Sequence, residues 1–271
     1  MPRAASRRHY LMCHPTYFDV SYAINPWMDL ANPVDRSLAL AQWEGLRATY
    51  ERLGHHVDLI EPLPEQPDMV FAANGALVVD GRVLGAAFRN PERADEAPAF
   101  RGWFEAAGFA DVRTPKHLNE GEGDFAVVGD VILAGTGFRT DHAAHLEAQE
   151  LFGRLVVSLS LVDPHFYHLD TALFALDDEN VAYYPAAFSE GSQEVLRQLF
   201  PDAVLATRAD AVAFGLNSVS DGRHVVIESA AVELVGALAM RGYEPVPVDL
   251  AEFRKAGGGP KCCTQELRAG R

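Results

Sequence analysis

Cys262 stands directly behind Gly257-Gly258-Gly259-Pro260-Lys261, a setting that suits a nucleophile. Three glycines allow close backbone approach at the entrance to a strand. The Lys261 ammonium beside the thiol would help a thiolate form. Such a nucleophile requires a proton-transfer partner within reach. His168 is the candidate, and Asp170 would share its face if the segment is extended. Asn119-Glu120-Gly121-Glu122-Gly123-Asp124 places carboxylates on a glycine-flanked loop. Carboxylates without basic partners suit a cationic, planar ligand with several donors, as guanidinium is. The run from Pro67 to Asn74 adds a further acid, Asp68, and the Asn74 amide. Each feature alone has a plainer reading: a structural histidine, a solvated acidic turn, a small packed thiol. The chemistry depends on a fold that gathers them.

A repeat supplies that fold. Residues 75–88, 125–138, 171–185 and 218–229 each read as an apolar strand, a tight turn and a second apolar strand. Asp80-Gly81 and Asp221-Gly222 are strong turn pairs and Gly129-Asp130 a weaker one. A fifth unit begins similarly at 262–268. Asn74, Asp124, Asp170, Asn217 and Cys262 head these units at spacings of 45–50 residues. Helical periodicity follows the hairpins at 94–107, 142–153, 189–200 and 230–241, and also marks 35–53. Extended runs such as 57–62, 155–161 and 243–250 come after helices, so the unit is strand, strand, helix, strand. Units of this kind must stack to bury their faces, and a closed ring removes sheet edges. In a closed ring the five heads converge near one axis. A doubly wound sheet is the competing architecture, but its Gly-rich phosphate loop is missing.

Composition narrows the partners. The chain has 271 residues, 48% hydrophobic and 23% charged, enough for a large core. A net charge of −15 would repel nucleic acid and favour a cationic small molecule. The basic N-terminus has no apolar run before a cleavage site, and no stretch is long and apolar enough for a membrane span. These features place the chain in the cytoplasm with a small-molecule substrate, without nucleic acid or membrane. Cys13, Cys262 and Cys263 offer neither a disulfide framework nor zinc spacing, and no His/Cys/Asp cluster has metal-ligand spacing. No metal or cofactor is expected.

In order and spacing the motifs resemble the guanidino-group-modifying (pentein) superfamily. They are Pro-Asp-x-Val-Phe at 67–71, Glu-Gly-x-Gly-Asp at 120–124, Phe-Arg-Thr-Asp at 138–141, His-x-Asp at 168–170 and Gly-Gly-Gly-x-x-Cys at 257–262. The resemblance covers nearly the whole chain. It implies a five-bladed α/β propeller of ββαβ units, with 1–271 as one catalytic domain. It further implies that Cys262 attacks the guanidinium carbon of arginine or N-methylated arginine to form a covalent thiouronium. His168 would protonate the departing amine and then activate water. Glu120 and Asp170 would hold the guanidinium nitrogens, Asp124 would brace the acidic loop, and Arg93 and Arg139 would clamp the substrate carboxylate. Whether Glu120 or Glu122 faces the site is open, with Glu120 favoured by motif register. Cys263 would be a packed neighbour facing the other way along a strand.

One departure separates members of that superfamily. Deiminases and dimethylarginine hydrolases carry an aspartate where this chain has Asn74. With Asn25 in Ala-Ile-Asn-Pro-Trp-Met-Asp, this is closer to the arginine dihydrolases, which release two ammonia molecules and leave ornithine. A dimethylargininase and an amidinotransferase are the rival enzymes. An arginine-binding propeller without turnover is the non-enzymatic one, and it would need neither Cys262 nor His168.

Overall fold

Two strands and a helix open the chain, and the first of these strands pairs with the last strand, some 250 residues away. The computed structural model describes residues 3–269; residues 1–2 and 270–271 of the expected 1–271 span lie outside the described residues. The opening elements are β1 (His9–Cys13), α1 (Arg36–Arg52) and β2 (His56–Ile60). Asp35 caps α1 by accepting hydrogen bonds from the Ser37 and Leu38 amides, a contribution of about 1 kcal/mol. One face of α1 buries Trp43, Leu46 and Tyr50 completely, each contributing roughly 2–3 kcal/mol.

Four complete units follow. The first is β3 (Ala76–Val79), β4 (Arg82–Gly85), α2 (Glu96–Ala106) and β5 (Asp111–Arg113). The second is β6 (Phe125–Val128), β7 (Val131–Thr136), α3 (His142–Phe152) and β8 (Leu155–Ser160). The third is β9 (Leu173–Ala175), β10 (Val181–Tyr183), α4 (Glu190–Leu199) and β11 (Val204–Leu205). After the short α5 (Arg208–Val212) come β12 (Val219–Ser220), β13 (His224–Glu228), α6 (Val232–Met240) and β14 (Glu244–Val248). The four-residue α7 (Ala251–Arg254) leads to β15 (Gln265–Glu266). Every sheet has three strands with the same pairing: an antiparallel hairpin, then a parallel strand reached through a helix. The fifth sheet follows the rule across the chain ends, β15 antiparallel to β1 and β1 parallel to β2. The architecture is therefore the expected five-bladed α/β propeller, and the unit that seemed to break off at 268 is completed by the N-terminus.

Alternation along the inner strands explains why they read as unbroken apolar runs. Leu11 and Cys13 of β1 pack toward the first complete blade, whereas Tyr10 and Met12 pack toward the fourth. In β3, Ala76 and Val78 face one neighbouring blade and Leu77 and Val79 the other. Successive side chains of a strand point to opposite faces, and in a ring both faces meet a neighbour. The apolar clusters therefore sit between neighbouring blades around the axis.

Two local expectations are corrected. Residues 260–263 form a turn rather than a strand, so Cys263 is buried by that turn and not by strand alternation. His168 is extended, but Asp170 lies in a helical turn over 169–171, so the two do not share a strand face.

Candidate active site

Hydrogen bonds from the five heads and the residues beside them link each blade to the next. The Ala73 amide donates to the Cys262 carbonyl at 3.0 Å, and the Asn74 side-chain amide donates to the Glu120 carbonyl at 3.3 Å. Asp124 Oδ1 accepts from the Leu169 amide at 3.0 Å. Asn217 donates to the Asp170 carbonyl at 3.1 Å and accepts from the Cys262 amide at 3.0 Å. Each blade thus fixes the next, and all five heads are buried. Glycine is required where the chain crowds this ring. A Cβ on Gly123 would collide with the Asn74 amide, and one on Gly258 with the Phe71 ring.

Around the thiol, Cys262 Sγ donates to Asp170 Oδ2 at 3.2 Å, and Asn217 Nδ2 donates to Sγ at 3.0 Å. Asn217 is the residue that the motifs missed. Its place as head of the fourth unit was the available signal. On the neighbouring side, His168 Nε2 lies 2.8 Å from Glu120 Oε2. Arg139 Nη1 donates to the same carboxylate at 3.2 Å, its Nη2 donates to the Ile24 carbonyl at 2.8 Å, and its guanidinium lies over the Tyr167 ring. Arg93 is bidentate to Glu96 and donates to Asn74 Oδ1 at 2.8 Å and to the Asp68 carbonyl. Asn25 donates to the Tyr167 hydroxyl and the Ala256 carbonyl. A cavity of about 10 Å³ is lined by Asn25, Asp68, Asn74, Arg93, Arg139 and Cys262 among others. Six of the residues singled out in the sequence therefore meet at one small space.

The carboxylates divide differently from the sequence expectation. Glu120 and Glu122 both have basic partners, drawn from distant units. Glu120 faces His168 and Arg139, whereas Glu122 is held by Lys261 and Arg268. Lys261 consequently turns its charge on Glu122 and the Thr264 carbonyl and not on the thiol. Among the oxygens that accept no protein hydrogen bond are Asp68 Oδ1, Asp124 Oδ2 and Asp170 Oδ1. Asp68 Oδ2 accepts from the Tyr22 hydroxyl at 3.0 Å. Buried acceptors left unpaired by the protein are costly unless a ligand donates to them.

Burial and charge set the protonation states. Burial raises the Cys262 thiol well above its ordinary value, and the adjacent Asp170 charge adds to this. Asp170 is itself pushed up to about 6 by burial. Burial also raises Asp68, against the pull of Arg93. Glu120 behaves oppositely: burial is outweighed by His168, Arg139 and Arg93, which hold it below the usual carboxylate range. The site thus keeps a neutral thiol beside acceptors that a cation would satisfy.

No protein-family model matches the chain. It is 54% identical over 265 residues to an N(G),N(G)-dimethylarginine dimethylaminohydrolase of Mycobacterium tuberculosis, covering 98% of this chain and 87% of that protein. It is 38% identical to the bifunctional arginine dihydrolase/ornithine cyclodeaminase AgrE of Nostoc, covering 96% of this chain and 38% of that longer protein. The N-terminal domain of ArgZ, a cyanobacterial arginine dihydrolase, solved as a cysteine-to-serine mutant with bound substrate, superposes with a TM-score of 0.93 at 35% identity, over 97% of this chain and 98% of that one. Blade topology, ring geometry and these relatives agree: the chain belongs to the guanidino-group-modifying pentein superfamily of dimethylarginine dimethylaminohydrolases and arginine dihydrolases, and is a hydrolase of C–N bonds in linear amidines.

Proposed function

We propose that the chain, as one catalytic domain over 1–271, hydrolyses arginine to ornithine, two ammonia and carbon dioxide through a thiouronium on Cys262. One observation carries the choice of arginine. The acceptors left free around the thiol, Asp68 Oδ1 and Asp170 Oδ1, call for N–H donors. An unmethylated guanidinium supplies them, whereas a dimethylated nitrogen would leave one acceptor unpaired at a cost of about 1–3 kcal/mol. Asn74, neutral where the family resemblance implies an aspartate in single-step hydrolases, suits an uncharged ureido group in the second step.

The chemistry follows from the placements. The substrate cation offsets the Asp170 charge that holds the thiol protonated, so the thiolate forms when substrate arrives. Sγ attacks the guanidinium carbon. His168 delivers a proton to the departing nitrogen, and ammonia leaves. Nε2 faces Glu120, which orients the ring and leaves Nδ1 as the exchanging nitrogen. Water, deprotonated by His168, then attacks the thiouronium, and the thiolate is expelled. A second passage on the ureido carbon releases the second ammonia, the carbon dioxide and ornithine. A cavity of about 10 Å³ holds no arginine. The segment carrying Ile24 and Asn25 must therefore swing away, breaking the Arg139–Ile24 bond and freeing that guanidinium for the substrate carboxylate.

The second reading, a dimethylargininase giving citrulline and dimethylamine, is favoured by the 54% identical mycobacterial relative. Product analysis by mass spectrometry over time separates the two, using arginine and asymmetric dimethylarginine with Cys262→Ser as control. The proposal expects ornithine from arginine with citrulline only transient. Citrulline and dimethylamine from the methylated substrate, with arginine inert, would replace it by the second reading.

A further inference from the structure

A cluster that the reaction does not use lies on the closing blade. Strands β1 and β2 run parallel with His9 paired to His56, so both imidazoles project from one sheet face. Asp58, two residues beyond His56, projects from that face as well. Its carboxylate reaches both rings: His9 Nε2 lies 2.8 Å from Oδ2 and His56 Nε2 lies 3.2 Å from Oδ1. The ring centroids are 4.6 Å apart, and one ligand atom from each of the three residues lies within 4.8 Å of the others. The sequence hides this set, because 47 residues separate its histidines.

We propose that His9, His56 and Asp58 bind one borderline divalent cation of the zinc, nickel or copper(II) class. Two imidazole nitrogens and one carboxylate oxygen form the donor set these ions prefer, and magnesium or calcium would require more oxygens. Binding moves each imidazole proton from Nε2 to Nδ1, turning two Nε2–H···carboxylate contacts into three metal bonds. The side chains are 39–56% exposed, so water completes the coordination shell. The nearest basic side chain in sequence, Arg8, is neutralised by Glu266, and the net charge of −15 favours a cation. The site lies on the rim of a cavity of about 650 Å³ at the hairpin-turn end of the ring, away from the cavity at Cys262. An ion there ties the edge strand β2 to β1, which β15 joins in closing the propeller. Occupancy therefore stabilises the fold by mass action.

Isothermal titration of the full chain with zinc chloride, repeated with cobalt(II) followed by its visible spectrum, tests this. Thermal unfolding is recorded with and without zinc. The expected result is one equivalent bound, a cobalt spectrum without a thiolate-to-metal band, and a zinc-dependent rise in Tm. His56→Ala and, as a second variant, His9→Gln should each weaken binding by about tenfold or more and remove the Tm rise, with arginine turnover in metal-free buffer unchanged. Absence of binding up to about 1 mM overturns the proposal. So does binding that both variants retain, or a thiolate band, since the ion would then sit on a cysteine.

Discussion

Glu120 and Glu122 are two residues apart on one helical turn, yet they serve opposite ends of the propeller axis. Glu120 meets His168 and Arg139 beside the Cys262 cavity. Glu122 closes an ion-pair cluster with Lys261 and Arg268 on the wall of the larger cavity. The two ends differ in room by 650 against 10 Å³ and in satisfaction the other way. At the roomy end most charges are paired, as Arg154 with Asp80 and Arg8 through Nη1 with Glu266, although Arg8 Nε and the Tyr10 hydroxyl have no partner. At the tight end the Cys262 thiol shares a wall with Asp68, whose Oδ1 accepts no hydrogen bond, and is held by Asp170, which also lines the roomy side and keeps a free Oδ1. Volume therefore does not locate the chemistry here. A thiol flanked by buried carboxylates with free oxygens does, because a cationic ligand can repay their burial.

The comparison is broken most severely at the tight end. Cys262→Ser should lower kcat by on the order of 10⁴-fold or more while the fold and thermal unfolding stay near wild type. Turnover within tenfold of wild type would remove the thiol from the mechanism. His168→Ala should cost about 10²- to 10⁴-fold, measurable as steady-state ornithine formation.

Asp170→Asn sharpens the contrast by separating stability from activity. The wild-type carboxyl is pushed up from 3.8 to about 6. Folding therefore disfavours its ionisation, and this penalty applies fully above pH 6 and disappears as pH falls toward 3.8. The variant should unfold at a higher temperature than wild type at pH 7.5, with the gap narrowing between pH 6 and 4, while turnover falls. Glu120 works with the opposite sign. Its depressed value means its contribution is present above the ordinary carboxylate range and is lost as pH falls below it. The smallest effect on rate belongs to the roomy end. Glu122→Gln should leave kcat within about threefold while costing on the order of 2 kcal/mol in chemical denaturation, since Lys261 and Arg268 are only partly buried. A rate collapse in a folded Glu122→Gln protein would erase the distinction between the ends.

The ring was legible in the sequence because five heads recur before strands at nearly constant intervals, and because strands buried on both faces read as continuous apolar runs. The completion of the fifth blade was not, since a repeat read along the chain does not show that its remainder stands at the other terminus. Among the residues gathered here, Cys262, His168 and the Asp68–Asn74 run stood out by residue type and spacing, and Glu120 by motif register alone. Asn217 escaped because an amide that bonds both the amide and the sulfur of a nucleophile looks like any turn asparagine until the ring closes. Lys261 was assigned to the thiol by adjacency, but its partner Glu122 lies 139 residues away. Ion-pair partners across blades leave no local trace, and neither did the His9–His56–Asp58 set.

The central claim is that Cys262 becomes covalently attached to the guanidinium carbon. Rapid acid quench during turnover of arginine, followed by digestion and mass spectrometry of the Cys262 peptide, tests it directly. The expected result is an adduct on Cys262 that carries the ornithine skeleton and has lost one ammonia. Full turnover with no adduct on that peptide, or an adduct on another residue, would contradict it.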